Sequence, residues 1–249
     1  MRGRLQNLDW PRILIELVIV TAGVLAALAL DEWMSSRKER AEEALLLRAV
    51  RTEFHAILKE MDREIVFRNS MRKNTQQIYA LAEAGSRPDI ATLDPMLGNL
   101  LWWSSAYLTT GAVDSILVGG KLRMIENEEI RYFLAALPAR LTSVKQVEAN
   151  DYVTLRDVSV PYLMKHADLS QILATMSSER PGSTEKEAFL TFKYRPKVPR
   201  DHAELLNDTE FLNVVGNVHA SQENVVYAYG ELRPELERVI GLLDVELGD

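Results

Sequence analysis

The residue with the least ordinary chemistry in this chain is a glutamate inside an apolar helix. Glu16 lies within Ile13 to Leu30, a run apolar apart from Glu16 itself and Thr21. An ionised carboxylate at the centre of a membrane span costs about 2.5–3.5 kcal/mol on insertion scales, and less near the interface. Glu16 sits only about 9 Å along a helix from Trp10, so the cost here is moderate. Gly23 and Ala27 follow at seven and eleven residues and share its face, where two helix backbones can approach closely. Two readings stay open. Glu16, Gly23 and Ala27 form a seam with a partner helix, or the glutamate snorkels to the interface beside small residues of no consequence.

The other titratable clusters are weaker. His219 and Glu223 stand at i and i+4, a spacing that suits a metal or a surface pair, and Asp201, His202 and Glu204 share a predicted loop. Neither cluster offers a ligand set and spacing typical of a metal site, so no metal site is predicted. Ser115 lacks the Gly-x-Ser-x-Gly elbow of a hydrolase nucleophile, and Gly119-Gly120-Lys121 lacks the context of a phosphate-binding loop. That glycine pair reads instead as the end of a helix. No catalytic residue and no cofactor is assigned. Trp102, Trp103 and Tyr107 form an aromatic cluster, read either as core packing or as a ligand or partner surface.

The elements that must position these residues are helical. Trp10 and Trp33 bracket the apolar run about 35 Å apart on a helix, which suits rings anchored at the two faces of a bilayer. Ala27-Leu28-Ala29 offers a signal-peptidase pattern. A retained anchor is preferred because the run exceeds the usual apolar core of a signal, carries an acid and is followed by no break. Basic residues flank both sides: Arg2, Arg4 and Arg12 before the span, Arg37, Lys38 and Arg40 after it. The expected orientation keeps the short basic tail in the cytoplasm and exports the large domain to the periplasm.

Beyond the span, no Pro or Gly occurs between Asp31 and Gly85, so the membrane helix is expected to run on as a stalk. Leu46, Val50, Phe54, Ile57 or Leu58, Met61, Ile65, Ile78 and Leu81 give it one apolar stripe, which packs on helices of this chain or of a second copy. A second helix is predicted from Asp94, with Pro95 at its first position, to Val118. A third starts at Asn127 and carries Ile130, Phe133, Leu134, Leu137, Leu141 and Val144 through a kink at Pro138. A short helix spans Asp168 to Met176, a polar turn Ser177 to Ser183 and an extended segment Phe189 to Tyr194. A last helix runs from Asp208 past Pro234.

With 249 residues, a net charge of −7 and no cysteine, the chain has room for one sizeable domain and lacks disulfides and thiolate chemistry. The acidic balance argues against nucleic acid as a partner. The expected organisation is all-α. A basic tail (1–12) leads into a transmembrane helix (11–33) and then an up-and-down helical bundle (34–249) that includes the stalk (34–84).

Two stretches resemble a widespread uncharacterised family of bacterial single-pass membrane proteins. The first, Ile15 to Trp33, places Glu16 seven residues before Gly23 and leads through Ala27-Leu28-Ala29-Leu30 to a polar-flanked Trp33. The second is Asp114-Ser115-Ile116-Leu117-Val118-Gly119-Gly120-Lys121-Leu122, followed by Ile125, Asn127 and Ile130-Arg131. Asp31-Glu32 stands where that family usually shows amides. The resemblance implies a retained inner-membrane anchor and a helical domain, and no activity. The expected function is non-enzymatic. The domain would act through contacts with the bilayer and with a second copy or another membrane protein, its seam formed by Glu16, Gly23 and Ala27 in the membrane and by the Leu46-to-Ile65 stripe outside. The alternative is a ligand-sensing bundle with Trp102, Trp103 and Tyr107 lining its pocket.

Overall fold

The computed structural model describes residues 10–176 and 196–248. Its helices are α1 (Trp10–Glu83), α2 (Ile90–Asn99), α3 (Gly111–Val118), α4 (Glu128–Thr154), α5 (Val160–His166), α6 (Leu169–Thr175) and α7 (Thr209–Leu247), with no strand among the described residues. The turn expected at Ser177 to Ser183 and the extended segment at Phe189 to Tyr194 lie outside the described residues.

The stalk reading holds. α1 is unbroken over 74 residues, about 110 Å of helix. It ends at Gly85, whose φ of 58° is the left-handed conformation that glycine adopts freely, and the Ser86 N–H closes the turn on the Leu81 carbonyl at 3.0 Å.

From the far end of α1 the chain descends through α2, a non-helical strap (100–110) and α3. It climbs again through α4 and α5, crosses the top with α6 and a 3-10 turn at Ala203–Asn207, and descends along α7. Contacts fix the directions. α7 is antiparallel to α1, with Arg51 on Asp244 (3.0 Å), Arg72 on Glu223 (2.7 Å) and the Tyr79 hydroxyl on the Leu212 carbonyl (2.8 Å). α4 is parallel to α1, with Phe54 and Phe133 meeting edge to face at 5.6 Å and Arg68 meeting Asp151 further along both helices.

Three apolar seams meet in this core. They are Val50, Phe54, Ile57 and Met61 of α1; Ile130, Leu134, Leu137 and Leu141 of α4; and Val225, Tyr229, Leu232, Leu236 and Val239 of α7. Each follows the three-four spacing that keeps one helix face inward. The outer seam expected between two copies is therefore corrected: the Leu46-to-Ile65 stripe is taken up by this chain's own α4 and α7.

The second helix is also corrected. It begins one turn earlier, capped by Asp89 Oδ1 on the Thr92 N–H (2.9 Å), and Asp94 lies buried inside it. It stops at Asn99 instead of reaching Val118. The strap beyond is rich in Trp, Ser, Tyr and Thr, which gain little as helix. Its backbone groups bond instead to side chains of the bundle, the Ser104 carbonyl to Arg68 and the Ala106 N–H to Glu148. The third and last helices start where expected. Asn127 Oδ1 accepts from Glu129 and Ile130 N–H, and Asp208 Oδ1 accepts from the Glu210 N–H. Pro138 and Pro234 are both carried inside helices. A π turn at Leu155–Ser159 joins α4 to α5 just before Pro161, where a proline ring would otherwise crowd the carbonyl four residues back.

Candidate functional site

Two features stand out from the ordinary packing: the projecting start of α1 and a polar layer inside the bundle.

α1 enters the bundle only near Glu42, and the side chains from Leu14 to Arg40 are exposed. The large apolar residues among Leu14 to Leu30 are 54–64% exposed, about what an isolated helix leaves open. This is one helix long and apolar enough to cross a membrane. Glu16, Gly23 and Ala27 all lie on it and are exposed, and a Cβ added at Gly23 would meet nothing within 4 Å. Trp33 is exposed beneath the Arg37 guanidinium, 5.5 Å from the ring centroid. Trp10 opens the helix, and its side chain is outside the description.

Within the bundle the α1 seam continues Ile57, Met61, Glu64, Arg68, Met71, so a guanidinium and a carboxylate occupy core positions. Arg68 is fully buried. It donates to Asp151 of α4, to Gln222 Oε1 of α7 (2.8 Å) and to the Ser104 carbonyl of the strap, and its Nε lies 3.7 Å from Glu64. Asp151 also accepts from Ser221 (2.7 Å) and Gln222 (2.9 Å), and Glu64 accepts from Ser104 Oγ (2.8 Å). One turn away, Glu148 Oε1 accepts from the Ala106 N–H (2.9 Å) and the Tyr229 hydroxyl. One cation and three carboxylates thus tie α1, α4, α7 and the strap together at one height. The layer is sealed by packing, so its chemistry is cohesion and register.

Burial pushes the Glu148 carboxyl above the usual carboxylate range, against the opposing pull of its Ala106 and Tyr229 hydrogen bonds. The same burial, with Glu148 alongside, raises the Tyr229 phenol far beyond its ordinary value. A carboxyl raised on folding adds stability that is fully present below its unfolded pKa and is lost as pH rises through the folded one. Glu148→Gln stays neutral and keeps an acceptor oxygen. The stability of the wild type relative to this variant should therefore fall as pH rises through and above the carboxylate range, as read by urea denaturation of the full chain in detergent. A difference that grows with pH would contradict the assignment.

The histidine clusters resolve as structural contacts. His202 is buried, its Nδ1 2.7 Å from Asp94 Oδ1 and its Nε2 accepting from the Asp168 N–H at 3.0 Å. That pattern places the ring proton on Nδ1, which donates to Asp94. Asp94 Oδ2 accepts from Gln171, so the group pins α2, α6 and the segment before the 3-10 turn. Asp201 and Glu204 turn away to Arg87, at 3.1 and 3.6 Å. His219 Nδ1 meets Thr75 Oγ at 2.7 Å and its Nε2 lies 3.6 Å from Glu223, which also accepts from Arg72, so the i,i+4 pair is a surface pair. Among the described residues no group of three His, Asp or Glu is placed to hold a metal. Ser115 is exposed on α3, and Gly120, with φ 65°, makes the turn after it, where Lys121 reaches Glu42 at 2.8 Å.

The three aromatic residues do not line one wall. Trp102 is buried with Phe67 and Met71. Trp103, 38% exposed, packs edge-on against Tyr152 with centroids 5.1 Å apart. Tyr107 is 80% exposed. They sit on the strap, and no helix periodicity relates them.

Sequence reading found the long apolar N-terminal helix and the apolar seams but missed Arg68, Glu64, Glu148, Asp151, Asp94 and Gln171. A signal existed for the first four. Each occupies a position in phase with an apolar seam, where a charge is buried unless the helix turns away.

No family model, curated protein or solved structure matches this chain.

Proposed function

We propose that this chain is a bacterial single-pass inner-membrane protein whose helical domain, held on the periplasmic side, works through protein–protein contacts, self-association among them, and not by catalysis. The observation that carries the reading is the exposed apolar helix from Leu14 to Leu30, continuous with a stalk whose Leu46-to-Ile65 stripe is covered by the bundle. So long an apolar surface needs cover, and a bilayer supplies it with no further partner. Trp33 and Arg37 at its end suit the headgroup level, where an amphipathic ring and a cation both remain partly hydrated. The resemblance of the Ile15-to-Trp33 stretch to single-pass bacterial proteins supports the same reading. In it, Glu16, Gly23 and Ala27 form the contact face within the membrane.

The sensing alternative loses its support, because Trp102, Trp103 and Tyr107 do not converge. Alkaline carbonate extraction of membranes from cells expressing the full chain tests the anchor. Retention in the pellet at full-length mass is expected, and release into the supernatant, or a mass short of the first thirty residues, would overturn the reading.

A further inference from the structure

We infer that the outward face of α1 just above the membrane, centred on Leu45, is where a second copy of this chain packs, parallel and in register. The inference rests on the membrane-anchored reading and specifies its partner and surface.

The inward face of α1 is consumed by the core, with Val50, Phe54, Ile57 and Met61 all buried. On the opposite face Ala41, Leu45, Ala49, Thr52 and Ala56 are exposed, Leu45 at 65%. Their spacing of four, four, three and four is that of a helix seam, one large side chain set among small ones that let a second helix come close. Because α1 is unbroken, its phase carries from one end to the other. At 100° per residue, Glu16, Gly23, Ala27, Met34, Ala41, Leu45, Ala49, Thr52 and Ala56 all fall within an arc of about 80°. The face proposed to meet a partner in the membrane therefore emerges as the face left open outside it.

Charge names the occupant. With Ala49 and Ala56 as a positions and Leu45 and Thr52 as d positions, Arg48 and His55 fall at g, and Glu53 and Glu60 at e. In a parallel two-fold pair each g residue faces the e residue five positions on in the other helix, which sets Arg48 against Glu53 and His55 against Glu60 across the axis. The cation Arg48 on one edge meets the carboxylate Glu53 on the other, so the surface complements itself, and Glu60 further on is also held by Arg63 of its own helix at 3.0 Å. Two copies anchored in one bilayer with the same topology present α1 in the parallel orientation this pairing requires. Glu53 is half-buried, its oxygens capping α3 through the Ala112 and Val113 N–H groups at 3.1 Å each. The acidic edge is thereby fixed in place. Lys59, whose charge would face its own copy across the two-fold axis, comes next on the same face with Arg63, held on Glu60, and the small-residue seam ends at Ala56.

The test uses the absence of cysteine. Single cysteines are placed in the full chain at Leu45, Thr52 and Ala27, and at the exposed Tyr132 of α4 and Tyr227 of α7, and membranes are treated with a mild oxidant. Leu45→Cys and Thr52→Cys should give several-fold more disulfide-linked dimer than Tyr132→Cys or Tyr227→Cys. Adding Arg48→Glu, which sets like charges across the seam, should lower the Leu45→Cys yield several-fold. Linkage at Ala27→Cys without Leu45→Cys or Thr52→Cys would overturn the outer seam and leave association within the membrane standing. Linkage at Tyr227→Cys alone would move the contact to the groove between α4 and α7 and also overturn it. No linkage at any position would remove self-association itself.

Discussion

Arg68→Leu should destabilise the full chain by about 3–5 kcal/mol, because it strands buried carboxylates that the guanidinium now neutralises. Glu64 and Asp151 would lose their cation in a site closed to water, and the Ser104 carbonyl and Gln222 Oε1 would each lose a donor. Urea denaturation in detergent measures the loss. The double variant Arg68→Leu/Asp151→Leu should recover part of it, since the second change removes one of the stranded charges. Strictly additive losses would show that the two side chains do not act as a pair. The strap should respond as well: it is held at Ser104 and Ala106 by this layer, so Trp103 fluorescence should shift toward that of a solvated indole in the single variant.

Phe54→Ala should cost about 3–5 kcal/mol, the range for emptying an aromatic ring's volume from a packed core. Its ring is fully buried against Phe133, between α1, α4 and α7. Leu45→Ala, nine residues earlier on the same helix, should change the stability of a single copy by no more than about 0.5 kcal/mol, because the side chain touches little of its own chain. The contrast separates the two faces of α1 by measurement, the inner one needed for folding and the outer one free for association. Comparable losses at both positions would mean that the bundle covers Leu45 as well.

The helical architecture was legible because its signals are local. A chain segment without Gly or Pro from Val24 to Ala84 has nothing to stop a helix, and the Asn127 and Asp208 caps precede apolar spacings that run for many turns. What local signals miss is competition from distant groups. The 100–110 strap looks like a helix until Arg68 and Glu148 take up its backbone. Asp94 looks like a cap until His202 and Gln171, more than seventy residues away, claim its oxygens. The polar layer escaped for a related reason. Glu64 and Arg68, Glu148 and Asp151, and Gln222 continue the three-four spacing of Met61, Val144 and Val218, but a search for apolar positions passes over them. The outer seam was misplaced because a stripe by itself does not say which molecule covers it. Only the positions of α4 and α7 show that this one is covered from within.

The most direct test of the account is the accessibility of single cysteines in intact membranes with the outer envelope permeabilised. Val24→Cys, midway along the projecting apolar helix, and Tyr132→Cys, exposed on α4, are each treated with a membrane-impermeant maleimide. The account predicts that Tyr132→Cys is labelled before lysis while Val24→Cys stays unlabelled until detergent is added. Equal labelling of the two before detergent would mean that the Leu14-to-Leu30 helix does not lie in a bilayer.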